Sequence, residues 1–118
     1  MTNAQALFQF FSGFGWPAYD ENSVPDSAVL PYITYETAIS SFGEPTEINA
    51  SIWDRSTSWQ SVQQKADQIM AALNNGGYVS TDNRLWVKMG TPFQQRMSEP
   101  DDDGIRRIVL NLEIEYLQ

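Results

Sequence analysis

The sequence predicts an α+β fold: a mostly antiparallel sheet of about four to five strands, with one long helix packed on one face and a short N-terminal helix. Three observations carry this prediction. Residues 59–73 place Trp59, Val62, Ala66, Ile69, Met70 and Leu73 on one helical face. Residues 106–117 alternate at period two, with Ile108, Leu110, Leu112, Ile114 and Tyr116 on one side and Arg107, Asn111, Glu113 and Glu115 on the other. Such alternation leaves one face buried and one wet, which favours antiparallel pairing. The strands also do not alternate regularly with helices, as a βαβ unit would require.

In chain order, Thr2 and Gln5 have capping-box spacing, and Leu7, Phe10, Phe11 and Phe14 recur at helical intervals before Gly13 and Gly15 end the element. The phenylalanines read as core contacts, with an exposed docking patch as the alternative. Residues 16–26 are rich in turn formers and read as an irregular surface loop. A first strand is expected over 30–36, with Pro31 at its start or on an edge, and a second over 48–54. Between them, residues 37–47 form a loop bearing Ile39 and Phe42. Thr57 and Gln60 repeat the capping-box spacing ahead of the long helix, and Asn74-Asn75-Gly76-Gly77 closes it with residues that tolerate positive φ. A short strand over 78–80, a turn over 81–83 and a strand over 84–89 follow. Residues 90–104 read as a long polar connection carrying two prolines and Asp101-Asp102-Asp103.

A chain of 118 residues fits a single domain, taken as 1–118. At this length a fold buries about 65% of the surface its unfolded chain exposes, enough for a core without metals or disulfides. There is no cysteine and no histidine, so thiolate nucleophiles, disulfide frameworks, Ser-His-Asp and Cys-His arrangements and the usual zinc sites are all excluded. Fifteen acidic against seven basic residues give a net charge of −8, which repels phosphates and argues against nucleic acid as the primary ligand. No basic leader precedes an apolar run at the N-terminus and no run approaches 18 apolar residues, so neither a signal peptide nor a membrane span is expected.

Only carboxylates remain for chemistry. Residues 99–104 are dense in acids, but their spacing does not match an EF-hand, and a solvated or docking loop is the simpler reading. Glu113 and Glu115 lie side by side on a strand, as a glycosidase pair would, yet an exposed strand offers no desolvation to raise a carboxyl pKa. The glycines lack the spacing of a phosphate loop. We therefore expect no catalytic residues, no cofactor and no metal. Four tryptophans, with Ile39, Phe42, Pro92, Phe93 and Met97 on loops, are the residue types that protein interfaces concentrate. The alternative is that these loops fold back over the chain's own sheet. The interface candidates are Ile39, Phe42, Phe93, Met97, Asp101, Asp102 and Asp103.

The layout resembles the tail-terminator and tail-completion (head-tail joining) proteins of long-tailed bacteriophages. The residues that carry the resemblance are Val24-Pro25 leading into Leu30-Pro31-Tyr32-Ile33, Ile52-Trp53-Asp54-Arg55 running into the long helix, and Trp86-Val87-Lys88 before Gly90-Thr91-Pro92-Phe93. Ile105-Arg106-Arg107-Ile108 then opens the terminal Leu112-Glu113-Ile114-Glu115-Tyr116 strand. The likeness runs from about Val24 onward and does not include the N-terminal helix or the Asp101 to Asp103 run. It implies a homo-oligomeric ring, commonly six-fold, in the tail or neck of a virion assembled in the bacterial host cytoplasm. Such a ring caps the tail tube and faces the head connector, with residues 37–47 and 90–104 as its expected contacts. Two other classes stay open: an acidic monomeric inhibitor or immunity-type protein that neutralises a basic enzyme, and a hydrolase built on Glu113 and Glu115.

Overall fold

The computed structural model describes residues 2–37, 43–99 and 102–117. In chain order they form α1 (Asn3–Ser12), β1 (Ala18–Asp20), β2 (Tyr32–Tyr35), β3 (Thr46–Arg55), α2 (Gln60–Ala72), β4 (Tyr78–Val79), β5 (Leu85–Met97) and β6 (Ile105–Tyr116). The strands make a six-stranded sheet in the order β1-β2-β3-β6-β5-β4. β6 is central, antiparallel to β3 on one side and to β5 on the other.

The alternation expected of β6 is realised, because Ile108, Leu110, Leu112, Ile114 and Tyr116 are each at most 1% exposed. They face the same layer as Ile48, Ala50 and Ile52 of β3 and Leu85 and Val87 of β5. Val62, Ala66 and Ile69 of α2 and Ala6, Leu7, Phe10 and Phe11 of α1 complete this cluster. Both helices therefore cover one face of the sheet and leave the other to solvent.

The N-terminal capping box forms as expected. The Thr2 hydroxyl accepts from the Gln5 N–H at 3.1 Å, and the Gln5 side-chain oxygen accepts from the Thr2 N–H at 2.8 Å. Phe10 and Phe11 of α1 are core residues, with Phe14 packed against them: Phe10 meets Phe11 and Phe14 edge to face at 5.0 and 5.3 Å, and Phe11 stacks on Tyr35 at 4.7 Å. At the far end of α2, Asn75, Gly76 and Gly77 have φ of 63°, 97° and 98°, the left-handed stop that their residue types favour.

Four expectations need correction. The sheet has six strands among the described residues, where four to five were predicted. It is mixed: residues 18–20, expected as loop, form β1, which pairs parallel with β2 through Ile33 N–H to Pro17 O and Glu21 N–H to Tyr35 O. Three residues are too few to display a period. The Thr57 capping box is absent because α2 starts later, at the N-cap Trp59, and Ser58 Oγ instead accepts from the Gln60 N–H at 3.1 Å. The polar connection expected over 90–104 is mostly strand, since β5 runs on to Met97 and only residues 98–104 link it to β6.

That last extension was hidden by a bulge. Met89 pairs with Leu112 but Gln94 pairs with Leu110, so extra residues loop out of β5 and break its alternation. Pro92 is tolerated because it sits in the bulge, where Asn111 Nδ2 donates to its carbonyl at 2.6 Å. Gly90 is needed there, because a Cβ at that position would lie 2.8 Å from the Asn111 carbonyl oxygen. Beyond the bulge Gln94 faces the helix layer and finds polar partners on α2, accepting from Gln63 Nε2 at 2.6 Å and donating to Asp67 Oδ1 at 3.1 Å. Among the described residues no helix is long and apolar enough to cross a membrane.

Candidate protein interface

The helix-free face of the sheet is built in cross-strand rows. At one end Tyr32, Trp53 and Arg107 lie opposite one another on β2, β3 and β6, with Met97 of β5 beyond. Trp53 Nε1 donates to Thr34 Oγ1 at 3.0 Å, the Arg107 guanidinium lies over the Trp53 ring at 4.6 Å, and Arg107 also reaches Glu99 at 3.5 Å. At the other end Glu47 stands opposite Glu113, and Lys88 Nζ lies 3.5 Å from the Glu113 carboxylate. Like charges opposed on a sheet repel, and Lys88 offsets part of that repulsion.

Each of the four tryptophans is half-buried and has a cation over its ring. Lys65 lies 5.1 Å from Trp16, Lys88 4.1 Å from Trp86, and Arg96 and Arg106 lie 4.9 and 5.4 Å from Trp59. Arg106 also donates to the carbonyls of Thr57 and Asp103, tying the start of α2 to the β5–β6 connection. All four tryptophan rings are thus engaged by the chain's own cations. Alternation assigns Arg107 to the wet face, but nothing in the residue pattern pairs it with Trp53, since 54 positions of chain separate them.

The seven interface candidates are placed as follows. Ile39, Phe42 and Asp101 lie outside the described residues. Phe93 is half-buried and packs against the core from within the bulge. Met97 is 40% exposed at the end of β5. Asp102 accepts from the Gly104 N–H at 2.9 Å and from Arg55 Nη1 at 3.0 Å. These bonds, the backbone one first, hold its carboxyl below the ordinary carboxylate value. Asp103 is exposed and gives its carbonyl to Arg106. The structure therefore brings Met97, Asp102 and Asp103 to the β5–β6 end of the sheet, while Phe93 belongs to the bulge.

Other surface features were not expected. Val29 is 77% exposed beside a groove of about 450 Å³ that Ala28, Leu30, Tyr32, Arg55 and Ile105 also line. Phe8, 42% exposed, projects from the outer face of α1. Among the described residues no group of three or more carboxylates is placed to hold a metal ion. The arrangement offers rims, grooves and charge for contact with another macromolecule.

No family model matches the chain, and no curated protein matches it. Among solved structures, its fold is similar to that of a chain from the virion of a native gene transfer agent (GTA) particle. The TM-score is 0.65 at 15% identity, over 97% of this chain and 93% of that one, and the likeness is one of fold.

Proposed function

We propose that residues 1–118 are one domain of a virion assembly protein. It is a ring-forming subunit of the tail-terminator or head-tail joining kind, acting in the tail or neck through contacts with copies of itself, the tail tube and the head connector. The observation that carries this reading is the likeness of fold, end to end, to a chain of a GTA virion. Separately, the sequence layout resembles tail-terminator and tail-completion proteins, and it is this resemblance that suggests the finer role within a virion. The helix-free sheet face, the exposed Met97 and the acidic β5–β6 connection are compatible with a ring, which needs two different patches on each subunit. Ile39, Phe42, Phe93, Met97 and Asp101 to Asp103 remain the proposed contact residues.

The test is solution mass by analytical ultracentrifugation and native mass spectrometry from low micromolar to millimolar concentration, followed by electron microscopy of the largest species. A closed multimer that decorates the end of a tail tube is expected. A strictly monomeric chain that leaves tube ends bare and binds one basic protein with strong salt dependence would favour the inhibitor reading instead.

A further inference from the structure

Charge is divided unequally along the chain. Residues 1–54 contain seven acidic residues and no lysine or arginine, whereas residues 55–118 contain eight acidic and all seven basic residues. The strand order turns this division in sequence into a division in space. β1, β2 and nearly all of β3 form one flank of the sheet, and β6, β5 and β4 form the other. β1 and β2 carry acidic side chains on or directly after them and no cation, whereas, apart from Arg55 at the end of β3 and Lys65 on α2, every cation of the chain lies on or beside β6, β5 and β4.

Both outer edges are also incompletely closed. The anionic flank ends in the three-residue β1, with Asp20 at its end and the exposed Glu21 directly after it. On the opposite flank β4 pairs only with Trp86 and Val87, so β5 from Met89 to Met97 has no strand on its outer side among the described residues. The bulge and Pro92 blunt the first part of that edge, but Gln94 to Met97 resume regular pairing with β6 and leave outward backbone groups open to another strand. Arg96 is exposed on this stretch, braced by the Trp59 ring at 4.9 Å and by Gln63 Oε1 at 3.2 Å.

We infer that the anionic β1 flank of one copy docks against the open Gln94–Met97 edge of β5 in a second copy, with Glu21 facing Arg96. This rests on the ring reading above and names its subunit contact. The occupant is another copy because the two edges belong to the same sheet, differ from each other, and are complementary in charge. A contact between two different patches repeats in one direction and closes into a ring when its rotation allows. Strand addition supplies the backbone hydrogen bonds, and charge selects the register and the orientation.

The experiment is sedimentation velocity on the full chain at low and high salt, for the wild type, Arg96→Glu, Glu21→Arg and the double variant, with Arg96→Gln as a milder partner. Circular dichroism confirms that each is folded. Each single reversal is expected to raise the concentration needed for assembly by about tenfold or more, the double variant to regain most of that loss, and salt to weaken the wild-type multimer. Wild-type rings that form equally well with either reversal would overturn this contact and leave the ring reading standing. A wild-type chain that never self-associates would overturn both.

Discussion

Arg107 lies directly opposite Trp53 across β6 and β3, its guanidinium 4.6 Å from the ring centroid while its Nε donates to Ser51 Oγ at 3.1 Å. Trp53 in turn donates to Thr34 on β2. One arginine thereby links three strands on the face that no helix covers. This part of the wet face is thus tied together by side-chain bonds.

Replacing Arg107 with alanine removes the stack on Trp53 and the hydrogen bond to Ser51, together with the long contact to Glu99. At this half-exposed site the stack and the Ser51 bond together stabilise the fold by roughly 1–2 kcal/mol. Urea unfolding should report a loss of that size. Arg107→Lys should recover only part of it, because an ammonium lacks the planar fork. An unchanged midpoint for Arg107→Ala would show the stack to be incidental.

Gly77 has φ of 98°, and a Cβ there would sit 2.3 Å from the Val87 carbonyl oxygen. Gly77→Ala should therefore cost more than about 1 kcal/mol, since it adds a clash with the β4–β5 ladder to the strain of positive φ. Gly76, at φ of 97°, has nothing within 4 Å of such a Cβ, so Gly76→Ala carries the strain alone. Thermal unfolding of the two variants should separate the effects, with Gly77→Ala melting several degrees lower. Equal melting temperatures would refute the clash.

Burial raises the phenol pKa of Tyr116, and it raises that of Tyr35 with help from the negative charge of Asp20. A raised folded value means that the native state holds these protons more tightly. The stabilisation is thus complete below the ordinary tyrosine value of 10.0 and is lost as pH rises through the folded values above it. Lys65 opposes this trend, because burial lowers its pKa and its penalty fades as pH approaches 10.5. Urea midpoints between about pH 8 and 11 should fall less steeply in Tyr116→Phe than in the wild type. Parallel curves would count against the burial account.

Much of the fold was legible in local pattern. The period of two in β6, the apolar stripe of α2, the Thr2–Gln5 box and the Asn74 to Gly77 stop each express one element's own geometry, which neighbouring residues along the chain suffice to encode. The absence of histidine and cysteine likewise excludes imidazole and thiolate chemistry from composition alone. β1 was not legible, because three residues pair only once β2 is beside them, and the end of β5 was masked by a bulge whose looped-out residues erase the alternation.

For the candidate interface the sequence supplied the residue types, and tertiary structure decided their use. Tryptophans read as residue types that interfaces concentrate are half-buried under cations drawn from distant positions, such as Arg107 over Trp53 and Arg96 over Trp59. Asp102, read as part of a charged loop, caps the turn before β6 and bridges to Arg55. The segregation of charge is written in the order of residues, but it acquires a direction in space only from the strand order, which sets β1 and β2, with acidic side chains alone on or directly after them, at one edge and the Arg- and Lys-bearing β5 and β6 toward the other. Local propensity acts over a few residues, whereas side-chain partnership and sheet order depend on contacts between segments that meet only when the chain is folded.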